Sequence, residues 1–355
     1  MNERHVRVLH MVAESYIETA HPVASQHIAR RLDVSSATVR NDFGSLEDGG
    51  LLHQPHTSAG RIPTADGFRV YASAWLPPAR LPKRVRDTLR AGLAGAEGDD
   101  LFIAASRVAS QLSGYAVIVR LAPNETLRIV EIHLSMLSSR RLLAVVVLEN
   151  GLVRQLGVDL DPTPSDDVID DAERNLRQLT LPVGEVPGAL RVLADGTGGD
   201  LGRTLRAVAD AWPGLQVPRS FRDGLSRLLA EPEGRDPDFV RLVVEQVEDA
   251  AAFAYSLAND DAAAAAARGA VRGASERASD AETGYQVALD ESLAKVSASF
   301  GFGSGKGLVT LIGPARMRYK DALAIAGEIS HSLNDIVDTG QSLAGGRGAD
   351  PATAG

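Results

Sequence analysis

The chain has 355 residues, 44% of them hydrophobic, enough for two or three domains with buried cores. It has no cysteine, which excludes disulfides, thiolate metal sites, iron–sulfur clusters and cysteine nucleophiles. A formal charge of −9 excludes a protein that coats nucleic acid by bulk charge, while leaving room for a local surface that reads it.

The amino terminus, Met1-Asn-Glu-Arg-His-Val-Arg, is charged, and the longest apolar run is only Leu142 to Leu148. Neither secretion nor membrane spanning is expected, and the protein is expected to be cytoplasmic. Val8, Leu9, Val12, Ala13, Tyr16 and Ile17 recur on one helical face, with Asn2 placed to cap it. Ser25 is expected to cap a second short helix, and Asp33-Val34-Ser35 reads as a three-residue turn into a third helix from about Ser36. In that helix Val39, Phe43 and Leu46 point inward, and Gly49-Gly50 stops it. Two helices joined by so short a turn predict a helix-turn-helix. Leu51–Pro55 and Ile62–Thr64 then predict a small hairpin, or wing, around His56-Thr-Ser-Ala-Gly-Arg61.

Phe68 to Leu76 reads as one more helix, followed by a stiff proline-rich spacer, so the winged-helix domain is expected over 1–76 with a linker at 77–83. Helices near Lys83–Ala91 and Leu101–Ser113 lead to strands near Tyr115–Leu121, Leu127–Leu134, Leu142–Leu148 and Val153–Val158. Ser165 to about Leu257 reads as helical and ends in an amphipathic stripe from Phe239 to Leu257, which could be a dimer interface but fits a contact within its own domain slightly better, because any core helix shows the same period. Strands return at Tyr285–Leu289, Lys295–Phe300 and Leu308–Ile312, before a helix from Met317 to about Val337. The order predicts an α+β protein: one sheet domain over 84–160 and 261–339, interrupted by a helical region over 161–260, and a disordered tail over 340–355.

On the third helix Ala37, Asn41, Gly44, Ser45 and Asp48 face away from the core, flanked by Thr38 and Arg40. Small residues there let a helix lie deep in a major groove, Asn41 carries the donor and acceptor that match adenine, and Arg40 can reach guanine or phosphate. The same polar face would also suit a small helical domain that only meets water. The wing favours the first reading, because Arg61 beside Gly60, with Thr57 and Ser58 as neutral donors, resembles a minor-groove or backbone clamp.

Pro22-Val-Ala-Ser25, Ser35-Ser-Ala-Thr-Val-Arg-Asn-Asp42, Leu46-Glu47, the run Gly50 to Thr64 and Gly67-Phe-Arg-Val-Tyr71 together resemble the amino-terminal signature of the HrcA repressors. Gly307-Leu-Val-Thr-Leu-Ile-Gly-Pro-Ala-Arg-Met-Arg-Tyr319 is similar to that family's carboxy-terminal motif. The resemblance implies a winged helix, a GAF-like domain with an inserted dimerisation domain, and a homodimer on double-stranded DNA carrying an inverted-repeat operator called CIRCE. It further implies repression of chaperone operons with the chaperonin as co-regulator. The expected contacts are Arg40, Asn41 and Ser45 toward the bases, with Ser35, Ser36, Thr38, His56, Thr57, Ser58 and Arg61 toward the backbone. A rival expectation is a regulator whose GAF-like domain senses a small molecule.

Other candidate sites fall short. Gly301-Phe-Gly-Ser-Gly-Lys-Gly307 lacks the first glycine and the final hydroxyl of a phosphate loop and reads as a turn between strands. His53 and His56, with His21 and His27, lack a recognisable zinc spacing, so no metal or cofactor is expected. There is no nucleophile elbow and no carboxylate pair that demands acid–base work, and the acidic run Ser165 to Asp171 fits the first turn of a helix. No enzymatic activity is expected.

Overall fold

A computed structural model describes residues 2–56, 59–122, 125–149, 151–216, 219–248, 279–280, 284–289, 292–302 and 305–345. The amino-terminal unit runs α1 (Glu3–Thr19), α2 (Ser25–Leu32), α3 (Ser36–Asp48), β1 (Leu52–His53), β2 (Ile62–Pro63) and α4 (Ala65–Ser73). Asn2 caps α1 by accepting the His5 N–H at 2.8 Å. The predicted cap at Ser25 is corrected: Ala24 holds the cap position and Ser25 is already helical. The reason lies one residue earlier, where Val23 exchanges two 2.9 Å backbone hydrogen bonds with Arg61 and stays extended. Val8, Leu9 and Val12 of α1, Ile28 and Ala29 of α2, and Val39, Phe43 and Leu46 of α3 close one core over Leu52. Each large aliphatic or aromatic side chain so buried contributes about 1.5–3 kcal/mol.

Beyond the spacer lie α5 (Lys83–Leu93) and α6 (Gly98–Ser113), then β3 (Ala116–Leu121). Sequence order placed the next three strands beside β3, and here the structure differs. β4 (Ile129–Ser138), β5 (Arg141–Leu148) and β6 (Val153–Asp159) form their own antiparallel sheet in the order β4-β5-β6. Both edges of β3 are already occupied by other strands, so β4 has nowhere to pair with it. One face of the small sheet, with Ile132, Leu134, Leu142, Ala144, Val146 and Leu156, is covered by α7 (Asp166–Arg177), α8 (Val186–Thr197) and α9 (Gly199–Ala211). Asp166 and Asp167 stand in the first turn of α7, as the dipole favours. The Trp212 indole N–H donates to the Val183 carbonyl at 3.0 Å, which satisfies a fully buried ring.

The helical stretch expected after Ser165 is also broken by β7 (Arg219–Asp223), an edge strand of the main sheet. That sheet has the order β7-β3-β11-β10-β9-β8, with β8 (Ser279–Asp280), β9 (Tyr285–Leu289), β10 (Leu293–Phe302) and β11 (Gly305–Pro314), all antiparallel. Apart from Arg120 the run of β3 is apolar, because both faces are covered. Val117 and Val119 join the core formed with α6 and the terminal helix α12 (Tyr319–Gly345). Ala116 and Ile118 meet Leu228 of α10 (Leu225–Leu228) and Phe239 and Val243 of α11 (Pro237–Glu248). The described part of the stripe from Phe239 therefore packs on its own sheet; Ala250, Phe253 and Leu257 lie outside the described residues. The helix α12 continues past Gly340, where a disordered tail was expected, and residues 346–355 lie outside the described ones. Among the described residues no helix is long and apolar enough to cross a membrane.

Candidate nucleic-acid interface

The helix α3 is built from local chemistry. The Ser35 hydroxyl accepts the Thr38 N–H at 3.1 Å and lies 2.7 Å from the Thr38 hydroxyl, so both residues hold the start of the helix. The preceding turn rests on Asp33, whose φ of 52° is left-handed. Gly50, at φ 72°, redirects the chain from α3 into the wing. Burial of Val39, Phe43 and Leu46 fixes the rotation of the helix, and it leaves Ala37, Arg40, Asn41, Ser45 and Asp48 exposed. Arg40 lies along the helix surface with a guanidinium nitrogen 3.3 Å from the Ser36 hydroxyl. The Asn41 amide has no partner among the described residues.

Pairing of Leu52 with Pro63 and His53 with Ile62 forms the wing. The Gln54 amide donates to the Ala59 carbonyl at 2.9 Å and pulls the loop together, with His56 exposed on it. Thr57 and Ser58 lie outside the described residues. Gly60 packs so closely on Val23 that an added Cβ would lie 2.3 Å from its carbonyl carbon. Arg61 sits lower than a hairpin tip: its backbone pairs with Val23, and its guanidinium grips Glu47 of α3 at 2.9 and 3.0 Å. The wing is thus fastened to both the α1–α2 connection and α3.

Two electrostatic supports escaped the sequence reading. The Asp42 carboxylate, on the buried side of α3, accepts from the Arg4 guanidinium at 2.8 Å and has the His5 ring at 3.7 Å. A charged residue between Val39 and Leu46 on an apolar face was the available signal, because a buried carboxylate needs a cation. Glu47, paired with Arg61, carried no comparable mark.

The family model described as HrcA protein C terminal domain matches residues 99–323, and the DeoR-like helix-turn-helix domain matches residues 9–64. The heat-inducible transcription repressor HrcA of Shouchella clausii is 30% identical, covering 94% of this chain and 97% of that protein. Its namesake from Clostridium perfringens is 27% identical, covering 95% and 99%. A crystal structure described as a hypothetical protein at 2.2 Å resolution aligns with a TM-score of 0.61 and 25% identity, covering 96% of this chain and 99% of that one. A family match across most of the sheet-containing part, together with relatives aligned along nearly their whole length, establishes that the chain belongs to the HrcA family.

Proposed function

We propose that this chain is a cytoplasmic, sequence-specific DNA-binding repressor of heat-shock chaperone operons, acting as a homodimer on an inverted-repeat operator of the CIRCE type. One observation carries the reading: α3 turns Arg40 and Asn41 outward among small residues while its opposite side is locked into a core. In this reading Asn41 pairs with adenine and Arg40 with guanine. Ser45 borders the base edges, and Ser35, Ser36, Thr38 and the wing residues His56, Thr57, Ser58 and Arg61 hold the phosphate backbone. Ser35, Thr38 and Arg61 already have protein partners, so their contacts to phosphate share or exchange those bonds.

We assign the dimerising insertion to residues 122–218, a unit of sheet and helices, which leaves 84–121 and 219–345 as the GAF-like domain. Supporting this, the outer face of the small sheet carries half-buried Leu143, Val145 and Val147 beside exposed Val153. A two-fold dimer reads two half-sites, which is why the operator is an inverted repeat. The chaperonin acts as the co-regulator that keeps the repressor active. Footprinting on the DNA upstream of the chain's own gene, with and without chaperonin, tests the whole reading. Protection of one inverted repeat, strengthened by chaperonin, is expected; equal binding to scrambled duplex overturns it.

A further inference from the structure

The stretch Gly313 to Tyr319 takes no part in the surface of α3 or the wing, yet it ends directly beneath the winged helix. Tyr319 is fully buried, its ring centroid 5.9 Å from Phe68 and 6.2 Å from Tyr71. The Lys320 ammonium sits 4.9 Å over the Trp75 ring. Phe68, Tyr71 and Trp75 share one face of α4 and its extension, so the contact is a socket for that helix. On its other side the stretch is bolted to the sheet domain. Arg316 binds Glu231 and Glu233 at 2.6 to 2.9 Å, and the Arg318 N–H donates to the Tyr115 hydroxyl at 2.9 Å.

From α4 the connection to α3 has no slack. Thr64 caps α4 through the Gly67 N–H at 3.0 Å and donates its hydroxyl to the Gly50 carbonyl at 2.6 Å. Gly67 lies so close to the wing that a Cβ would come 2.1 Å from the Leu51 carbonyl oxygen. Gly50 and Leu51 follow directly on the cap of α3, with the Leu51 N–H bonded to the Leu46 carbonyl at 2.9 Å. Beside the socket a cleft of about 630 Å³ separates Thr64 and Asp66 from Glu233 and Asp236, with Phe68 in its wall.

We propose that Tyr319 is a positioning residue for operator recognition: seated against α4, it fixes the direction in which each sheet domain presents its α3, and so the half-site spacing that the dimer accepts. The inference rests on the dimeric, two-half-site reading above. A winged helix on a loose tether would engage each half-site independently of spacing, whereas a seated one gains its second contact only at matching geometry.

The test titrates the full-length dimer on the inverted repeat, on a single half-site, and on repeats whose spacer is lengthened or shortened stepwise. Tyr319→Leu should bind the native repeat about tenfold more weakly, bind the half-site as the wild type does, and flatten the dependence on spacer length. Tyr319→Phe, which keeps the ring, should retain the wild-type profile. Should Tyr319→Leu fail to fold, Lys320→Gln loosens the same joint from its exposed side and should broaden the spacing profile by about two- to threefold. Equal losses on repeat and half-site, or an unchanged spacing profile in a folded variant, overturn the proposal. A wild-type chain that does not separate the inverted repeat from scrambled duplex overturns the underlying reading as well.

Discussion

The Arg61 guanidinium lies 2.9 Å from the Glu47 carboxylate, so the wing and α3 are held by charge as well as by chain. Both side chains are partly exposed, and the pair therefore contributes about 1 kcal/mol or less to stability. Its larger effect is on DNA, because an arginine neutralised by its own helix has less to offer a phosphate. Glu47→Gln is expected to leave thermal stability nearly unchanged and to tighten binding at low salt. It should also steepen the slope of log affinity against log salt by about 0.9, the value for one added phosphate contact. A slope identical to that of the wild type would show that the Glu47 pair does not limit the hold of Arg61 on the backbone.

Asn41 and Arg40 are neighbours on the exposed side of α3, but they are expected to fail differently. Asn41→Ala removes a donor and acceptor pair that only the correct base satisfies, so operator binding should weaken by about 1–3 kcal/mol while binding to scrambled duplex holds. Arg40→Ala removes a charge as well, and should weaken both. Gel-shift titrations on the two duplexes separate these cases, and matched losses for Asn41→Ala reject its role as a reader.

The winged helix was legible because its signals are local: a three-residue turn before Ser36, the inward spacing of Val39, Phe43 and Leu46, and Gly49-Gly50 to end the helix. The division of the strands was not legible. Alternation in β4 and β5 tells which face is buried, but it is silent on which strand lies alongside, and that is decided by residues far away in the chain. β7 was missed for a related reason, since Arg219-Ser-Phe-Arg-Asp223 buries only Phe221, as an edge strand can. The socket at Tyr319 was missed because a tyrosine after a motif carries no mark of its partner some 250 residues earlier.

β4 forms an edge of the small sheet, and α7 shields it with two side chains one turn apart. The Glu173 carboxylate accepts the Leu134 N–H at 2.7 Å, the Arg177 guanidinium donates to the Ile132 carbonyl at 3.1 Å, and the two pair at 2.7 Å. Together they occupy a donor and an acceptor that would otherwise template another strand. The double variant Glu173→Ala, Arg177→Ala is expected to shift sedimentation profiles toward species larger than those of the wild type as concentration rises. Unchanged profiles across that range would remove the shielding role.

His10 supplies a pH dependence whose sign follows from its surroundings. Its ring meets Tyr71 edge-on at 5.2 Å, and its Nε2 is buried without a hydrogen-bond partner among the described residues. Burial holds its pKa below the ordinary 6.5, against a smaller opposing pull from the Glu14 carboxylate. The folded chain thus favours the neutral ring, while the unfolded chain takes up a proton as pH falls past 6.5. Stability from this group is intact above that value. It declines through the window below, down to the lowered folded pKa, and then levels off. His10→Phe keeps an aromatic edge against Tyr71 and removes the proton. Urea midpoints measured at pH 7.5 and 5.5 should therefore fall less in His10→Phe than in the wild type, and equal falls in the two proteins would assign the acid sensitivity to other groups.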